Sequence, residues 1–600
     1  MTSPRLTVLA FVLCLGLVCA SAHAAKLVDV RPVDDEFLQV YWRDGEVEYK
    51  DTGTGPNAFR GLDSAGDVIH RFAPPLDTAA VVNPDSYELT SKNDPKYAAA
   101  THPTAAYRKT KVNGTDRAWP DANYTLEHTV YLKLPQKLQQ DGHYTLTIAP
   151  AVKSDTASRD FTFDIYSGVS EAVHVNLIGY NPAHTAMKSA DLYMWLGDGG
   201  GRDYSTYAGR KVISIIWDML LPYLLSNGKL ADDNCQIRES GNGIPDLIDE
   251  ARYEVDFWLR LREGKGGYAA GLNNPGQKDT VMYQAGASPY MAWASAANAA
   301  MLADAFRIAR KTDLANKYRD AAVEAWKTAG DQGLDLSAGI GNGQARGRDL
   351  KMMAAAFLYN VTGDTAYEDA MAKESVVTGP TSGLDKDRNY CQYWGTAAYL
   401  LCAKNNWRPI HNPKLLENMK AAILHEAMQK NVSGTARWPS RRASDNAYGW
   451  FQTTQEVQAA CIAHAVATEA ADKDALLKAL ILEADYGLGR NPLNMVQMSG
   501  LGSRCVEQMF TTGRNDGVPG VHPGHTPYMN AAAWGGGYMA DPQWYASKGY
   551  PAWKDWPQGE ALWCAPYCYS NNEFTPQQSM RGKMCLLGYL YSLGDTRVGR

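Results

Sequence analysis

The chain has 600 residues, 45% of them hydrophobic and 21% charged. That balance excludes a mainly disordered chain, and the length predicts roughly two to four domains. Lys and Arg number 59 against 65 Asp and Glu, a net charge of −6, so no basic excess points to nucleic acid as a partner. Tyr outnumbers Phe 34 to 12 and there are 16 Trp. Rings with a polar handle suit half-wet surfaces such as those of sugars, although ordinary core usage explains the composition equally well.

Arg5 precedes a nearly unbroken apolar run from Leu6 to Val18, and Ala22-His23-Ala24 is a small-x-small cleavage site. This pattern predicts a signal peptide over residues 1–24, cleaved near Ala24, and a secreted or periplasmic protein. The run is too short for a comfortable span, and no later stretch reaches ~18 apolar residues, so no membrane span is expected. Cys14 and Cys19 leave with the signal. The remaining cysteines are too sparse for a disulfide scaffold and show no zinc spacing. Cys564 and Cys568 could bridge in an oxidising compartment, and buried thiols are an equal alternative.

Residues 25–170 read as an N-terminal β-domain. Thr129–Leu134, Tyr144–Ile148 and Phe161–Tyr166 alternate apolar and polar residues, with Asp141-Gly142 and Ser167-Gly168 as turns. A sandwich follows from such short strands, and no chemistry is visible in it. From residue 213 the period becomes helical. Ile213–Leu225 and Ile244–Leu261 are the first windows, the second preceded by Gly241-Asn242-Gly243 with Pro245 suited to a first turn. Further windows fall at 290–311, 314–329, 349–361, 413–429, 452–470, 473–486 and 577–592. Paired helices over 213–600 predict one large all-α domain, and closure of the pairs on themselves would make an α/α toroid.

Several segments resemble glycoside hydrolase family 9, the group that contains many cellulases. Val175-Asn176-Leu177-Ile178-Gly179-Tyr180 is similar to the first strand of the family's Ig-like domain. Glu239–Ala251, with Gly241-Asn242-Gly243-Ile244-Pro245-Asp246 at its centre, resembles the second catalytic helix. Asp485-Tyr486-Gly487-Leu488-Gly489-Arg490-Asn491-Pro492 resembles another hallmark, and Ser570-Asn571-Asn572-Glu573 resembles the segment carrying the general acid. The resemblance implies a multidomain chain: an N-terminal all-β, sandwich-like part, a partial Ig-like segment at 171–212, and an (α/α)6 barrel over 213–600. It further implies inverting hydrolysis of a β-linked polysaccharide or oligosaccharide, such as a β-1,4-glucan.

Inversion needs one protonated carboxyl and one carboxylate, roughly 6.5–9.5 Å apart so that a water fits between. The resemblance assigns the acid to Glu573, where Trp563, Tyr567, Tyr569 and Phe574 could raise its pKa and stack sugars. The family's base is the second Asp of an Asp-Ala-Gly-Asp motif, which this chain lacks. One alignment puts Asp203 of Asp203-Tyr204-Ser205-Thr206-Tyr207 at the base position, with Gly200 replacing the first Asp and Asp198 five residues away. A second reads Ala190–Trp195 and Ala208–Val212 as early Ig-like strands. On it the chain is internally truncated, roughly 40 residues stand where an Ig-like domain needs ~100, and the base is missing. The residue count favours the second alignment. A catalytically impaired glycan-binding or scaffold protein is the matching alternative function.

His522, His525, Trp534 and Tyr569 are the candidate substrate-binding residues. The two histidines occupy the family's His/Arg-rich loop, and Trp534 stands before Gly535-Gly536-Gly537. Arg490-Asn491-Pro492 reads as a helix-to-loop junction. Asp246, Asp249 and Glu250 read as structural carboxylates at a helix start. No cofactor is expected and no metal residues are assigned. Calcium occurs in some relatives, with no ligand set legible here.

Overall fold

The computed structural model describes residues 24–48, 68–72, 75–117, 120–164, 170–178, 191–199, 215–263, 266–269, 272–273, 283–284, 286–330, 334–340, 345–384, 390–437, 441–444, 450, 457–507, 523–527, 540–552, 555–560, 562–563, 568 and 583–594.

The N-terminal part is built from β1 (Lys26–Pro32), β2 (Phe37–Arg43), β3 (Gly45–Glu48), β4 (Val68–Arg71), β5 (Tyr87–Ser91), β6 (Ala105–Thr115), β7 (Tyr124–Lys133), β8 (Gly142–Ile148) and β9 (Ser158–Phe163). One sheet runs β1-β2-β7-β6 and a second β5-β8-β9, with β3 and β4 as a separate ladder. All pairings are antiparallel, as short connections allow. The period-2 pattern sets the inner faces. Leu38, Val40, Trp42, Val130 and Leu132 of the first sheet meet Tyr87, Leu89, Tyr144, Leu146 and Ile148 of the second in one buried cluster. This is a β-sandwich with a core of its own. Its turn at Asp141 uses φ 61°, a left-handed conformation that Asp tolerates.

The next segment departs from its expected strands. The ladder is the two-residue pair β10 (Val173–His174) and β11 (Asp191–Leu192). Asn176, Leu177 and Ile178 are not in a strand. The Asn176 side chain instead accepts the Ile178 N–H, and the Leu177 N–H goes to the Leu488 carbonyl. Past Leu192 the chain soon turns at Gly197, whose φ of +71° and contact with the Arg108 carbonyl leave no room for a Cβ.

The helices are α1 (Ile215–Leu225), α2 (Asp246–Arg260), α3 (Pro289–Ile308), α4 (Thr312–Ala329), α5 (Gly347–Thr362), α6 (Thr365–Glu374), α7 (Cys391–Lys404), α8 (Pro413–Ala427), α9 (Ser433–Arg437), α10 (Gln458–Val466), α11 (Ala470–Gly487), α12 (Ala540–Ser547) and α13 (Lys583–Gly594). Helices α6 and α7 have no counterpart among the windows expected from periodicity. Twelve consecutive residues of α7, Cys391 to Cys402, are buried, so it carries no polar face to mark a period.

Side-chain pairs fix the arrangement. Tyr290 at the start of α3 lies against Gly347 at the start of α5, while Asp304 near the end of α3 meets Asn360 near the end of α5. Gln392 in the first turn of α7 donates to Asp349 in the first turn of α5 at 2.8 Å. At the far ends, Asn360 donates to the Ala398 carbonyl and Lys404 of α7 to the Ala465 carbonyl of α10. Starts therefore meet starts and ends meet ends. The ring continues from α10 to α13 through Cys461 with Cys585 and His464 with Tyr589, the latter 2.7 Å apart. It closes on α1, where Pro222 packs against Gly588 and Gln458 of α10 bonds Asp218. Helices α1, α3, α5, α7, α10 and α13 thus form a closed parallel ring, with α2, α4, α6, α8 and α11 packed around it. The chain is an N-terminal β-sandwich followed by an all-α barrel of the (α/α)6 type.

Candidate active site

Because the inner helices are parallel, their N-terminal ends converge on one mouth. The positive ends of the helix dipoles gather there. The connections that arrive at this mouth are 261–288, 330–346, 375–390, 428–457 and 488–582. At the opposite end the turn Gly363–Asp364 between α5 and α6 is short, whereas 226–245 between α1 and α2 is long. In chain order, Asp203 falls in the stretch entering α1. His522, His525, Trp534, Tyr569 and Glu573 fall in the stretch entering α13.

Of these candidates the described residues include only His525. Asp203, His522, Trp534, Tyr569 and Glu573 lie outside them. His525 is half-buried and held at its backbone: its N–H donates to Ser499 Oγ at 3.0 Å, and its carbonyl accepts the Ser499 N–H at 2.8 Å. Gly524 makes the turn with φ +93° and donates to the Ser499 carbonyl.

Ser499 is itself positioned by the Asp485–Asn491 junction. Gln497 donates its N–H to the Gly487 carbonyl at 2.8 Å. The Asn491 amide donates to the Tyr486 and Met495 carbonyls, at 2.7 and 2.8 Å, and Arg490 to the Leu482 carbonyl at 2.8 Å. Arg490 is fully buried. The junction reading of these residues therefore holds. The structural reading of Asp246 and Asp249 holds too: Asp246 accepts the Cys235 N–H and the Ser240 hydroxyl, and Asp249 accepts Asn242 and pairs with Arg252.

Residues not singled out from sequence form the floor of the mouth. Asp218, in the first turn of α1, is buried and bonded by Gln458, the first residue of α10. The Cys585 thiol beside them is pushed up by burial and by Cys461. Lys583 sits 5.7 Å from the Trp450 ring centroid, and Lys351 sits 5.5 Å from that of Trp293. Trp293, Trp394 and Trp450 are at most 1% exposed. The legible signal was a polar residue at the first turn of an otherwise apolar helix. Asp198, weighed as a substitute carboxylate, is committed elsewhere. It accepts the Arg108 N–H at 2.8 Å and the Tyr550 hydroxyl at 2.7 Å, tying β6 to the segment after α12.

Cys402, Cys461 and Cys585 are buried thiols; of the pair considered for a bridge, Cys568 is buried and Cys564 lies outside the described residues. Among the described residues no group of three or more His, Cys, Asp or Glu is arranged to hold a metal ion. Among them no helix is long and apolar enough to cross a membrane.

The chain is similar to Endoglucanase D of Acetivibrio thermocellus, with 24% identity over 451 residues, 68% of this chain and 70% of that protein. It is also similar to Endoglucanase C of Cellulomonas fimi, with 25% identity over 335 residues, 51% of this chain and 30% of that one. Among solved structures, a Bacteroides ovatus GH9 protein superposes with a TM-score of 0.49 and 15% identity, over 94% of this chain and 99% of that one. A thermostable endoglucanase variant from Alicyclobacillus acidocaldarius superposes with a TM-score of 0.48 and 16% identity, over 84% and 94%. The model of glycosyl hydrolase family 9 matches residues 214–536, more than half of the chain, which covers most of the helical ring and its connections. The chain belongs to glycosyl hydrolase family 9.

Proposed function

We propose that this chain is an exported hydrolase of β-1,4-linked glucan that works with inversion, with Glu573 as general acid. The observation that carries the reading is the family match over the ring, joined to the direction of the inner helices. Asp203 and Glu573 precede α1 and α13 in the chain, and those two helices are neighbours in the ring, which supports the pairing. The relatives named as endoglucanases support a glucan as substrate. The domain organisation that goes with this reading is a signal over 1–24, a β-domain over 25–170, a partial Ig-like segment over 171–212 and the catalytic ring over 213–600.

Glu573 donates its proton to the leaving oxygen as the glycosidic bond breaks. A carboxylate on the other face takes a proton from the attacking water. Asp203 is the carboxylate in line for that role. His522, His525, Trp534 and Tyr569 bind the sugar chain, the imidazoles by hydrogen bonds to hydroxyls and the large rings by stacking. The test is hydrolysis of a soluble β-glucan by the full chain and by Glu573→Gln, with the anomer of the first product read by NMR. Loss of turnover with retained oligosaccharide binding, and an inverted product, support the reading. Full activity of Glu573→Gln overturns it.

A second reading, a glycan-binding protein without an effective base, is favoured by one observation. Both oxygens of Asp198 accept hydrogen bonds at the sandwich, which removes the alternative carboxylate from the mouth. Binding without hydrolysis by the unaltered chain would decide for it.

A further inference from the structure

The sandwich is fastened to the two segments on which the proposed site depends. The first fastening is the stretch after β10. Asn176 Nδ2 donates to Asp485 Oδ1 at 2.9 Å, both residues being buried. One residue on, the Leu177 N–H donates to the Leu488 carbonyl at 2.8 Å. His174 Nδ1 lies 2.5 Å from the Asn491 carbonyl oxygen and its Nε2 lies 2.7 Å from that of Glu171. Glu171 in turn pairs with Arg31 of β1 and with Arg504, whose carbonyl accepts the Val496 N–H. The stretch therefore grips both ends of 485–504, and from there Gln497 and Ser499 lead to His525. Gly489 shows how close the approach is: a Cβ there would lie 2.3 Å from the Val175 carbonyl oxygen.

The second fastening is β6. Lys109 Nζ pairs with Glu560 at 2.8 Å with only 17% and 3% of their side chains exposed, and Lys111 Nζ donates to the Glu560 carbonyl at 2.7 Å. Thr110 and Tyr550 exchange both backbone hydrogen bonds, at 2.7 and 3.0 Å. Thr115 Oγ1 and the Tyr545 hydroxyl meet at 2.9 Å over a shared cluster of Val112, Tyr545, Ala546, Trp563 and Cys568. This C-terminal segment leads directly to Glu573. A detachable sandwich would leave such buried polar pairs with nothing to gain, because each is costly to desolvate unless its partner is in place.

We infer that Asn176 and Lys109 are positioning residues, acting through Asp485 and Glu560 on the segments that carry His525 and Glu573, so that the β-sandwich is part of the catalytic architecture. The inference rests on the reading of that mouth as the active site. Its consequence for kinetics is a fall in kcat larger than any rise in KM, since small displacements of reacting groups cost about tenfold to hundredfold in rate.

The experiment uses the full chain, Asn176→Ala, Lys109→Met and, as a control at an exposed sandwich pair, Lys26→Ala. Amide hydrogen exchange of peptides covering 495–527 for the first fastening and 540–563 for the second is read alongside kcat and KM on soluble β-glucan. Asn176→Ala is expected to speed exchange at Ser499 and His525 and to lower kcat about tenfold or more, while Lys26→Ala changes neither. In Asn176→Asp a second carboxylate faces Asp485. Its protection is expected to fall below that of Asn176→Ala, because like charges repel across the contact. Lys109→Met tests the second fastening if the first variant does not fold. Unchanged exchange in both fastenings overturns the inference, as does faster exchange with unchanged kcat. If the unaltered chain hydrolyses nothing, the functional reading fails, and the exchange data still decide whether the sandwich holds these segments.

Discussion

Arg442 and Glu483 give a quantitative test of how the ring supports its mouth. Both are fully buried, with Nη2 of Arg442 2.9 Å from Oε1 of Glu483. Oε2 of Glu483 accepts the Ser444 N–H at 3.1 Å and its hydroxyl at 3.0 Å, and the guanidinium lies 3.8 Å from the Tyr486 centroid. The group ties the segment before α10 to α11. Arg442→Met keeps much of the volume but takes the cation from a buried carboxylate, a change that costs about 3–5 kcal/mol. At about 2 °C per kcal/mol for a large domain, the thermal midpoint should fall by roughly 6–10 °C. The pH dependence carries a sign. Without the guanidinium, burial raises the folded-state pKa of Glu483 above its unfolded value. The folded state then binds more protons, and stability falls as pH rises from the unfolded pKa through the folded one. The deficit should therefore be smaller near about pH 4.5 than at pH 7. The assay is thermal unfolding by circular dichroism at both values for the unaltered chain, Arg442→Met, and Arg442→Met with Glu483→Leu. The double variant should recover part of the loss. A deficit under about 1 kcal/mol, or one independent of pH, refutes the reasoning.

Gly487→Ala should destabilise by about 1–3 kcal/mol, because its Cβ would lie 1.9 Å from a Trp450 ring carbon in a packed interior; an unchanged thermal midpoint counts against that packing. Burial raises the Glu171 carboxyl, but Arg504 and Arg31 outweigh it and hold the group below the ordinary glutamate range. Its contribution is therefore complete above the unfolded pKa and lost as pH falls toward the lowered one. Glu171→Gln should flatten the acid limb of the stability curve, and an unaltered limb would contradict the assignment. Exposed Cys235 should be alkylated in the native protein before buried Cys402, Cys461 and Cys585, read by mass spectrometry of the peptides. Equal labelling of Cys461 and Cys235 would argue against the closed ring.

What could be read from sequence follows the physics of exposure. Outer helices such as α2 and α4 keep one wet face, so their period was visible. In α7 neighbours on every side remove the period, and an inner helix went unnoticed. Strands β7 and β8 alternate because one face meets the sandwich core and the other does not. The stretch from Val175 to Ile178 is expected as a strand only through its resemblance to the family's Ig-like segment, yet its polar groups are spent on Leu488 and Asp485 far along the chain. No local pattern encodes such contacts. The same holds for the floor of the mouth: Asp218 and Gln458 are unremarked polar residues until the ring closes and sets them against each other. The carboxylate expected at Glu573 was legible only through motif resemblance, because a loop glutamate has no period to betray it.

The position of Asp198 narrows the question of the base. A water-activating carboxylate needs one oxygen directed at the water and not satisfied elsewhere. Asp198 has given one oxygen to the β6 backbone and the other to Tyr550. Rotating it toward the mouth would break both bonds and leave the Arg108 N–H without its acceptor. The residues just before it are equally committed, since Met194 and Leu196 are buried with Val33, Phe37 and Tyr131. Thus the segment from Met194 to Asp198 is held on the sandwich side. A base supplied by this part of the sequence must come from between there and Ile215, the start of α1. Asp203 is the only Asp or Glu in that interval. Hydrolytic activity therefore stands or falls with Asp203 on the first alignment, and on the second an active chain must draw its base from a carboxylate elsewhere around the mouth.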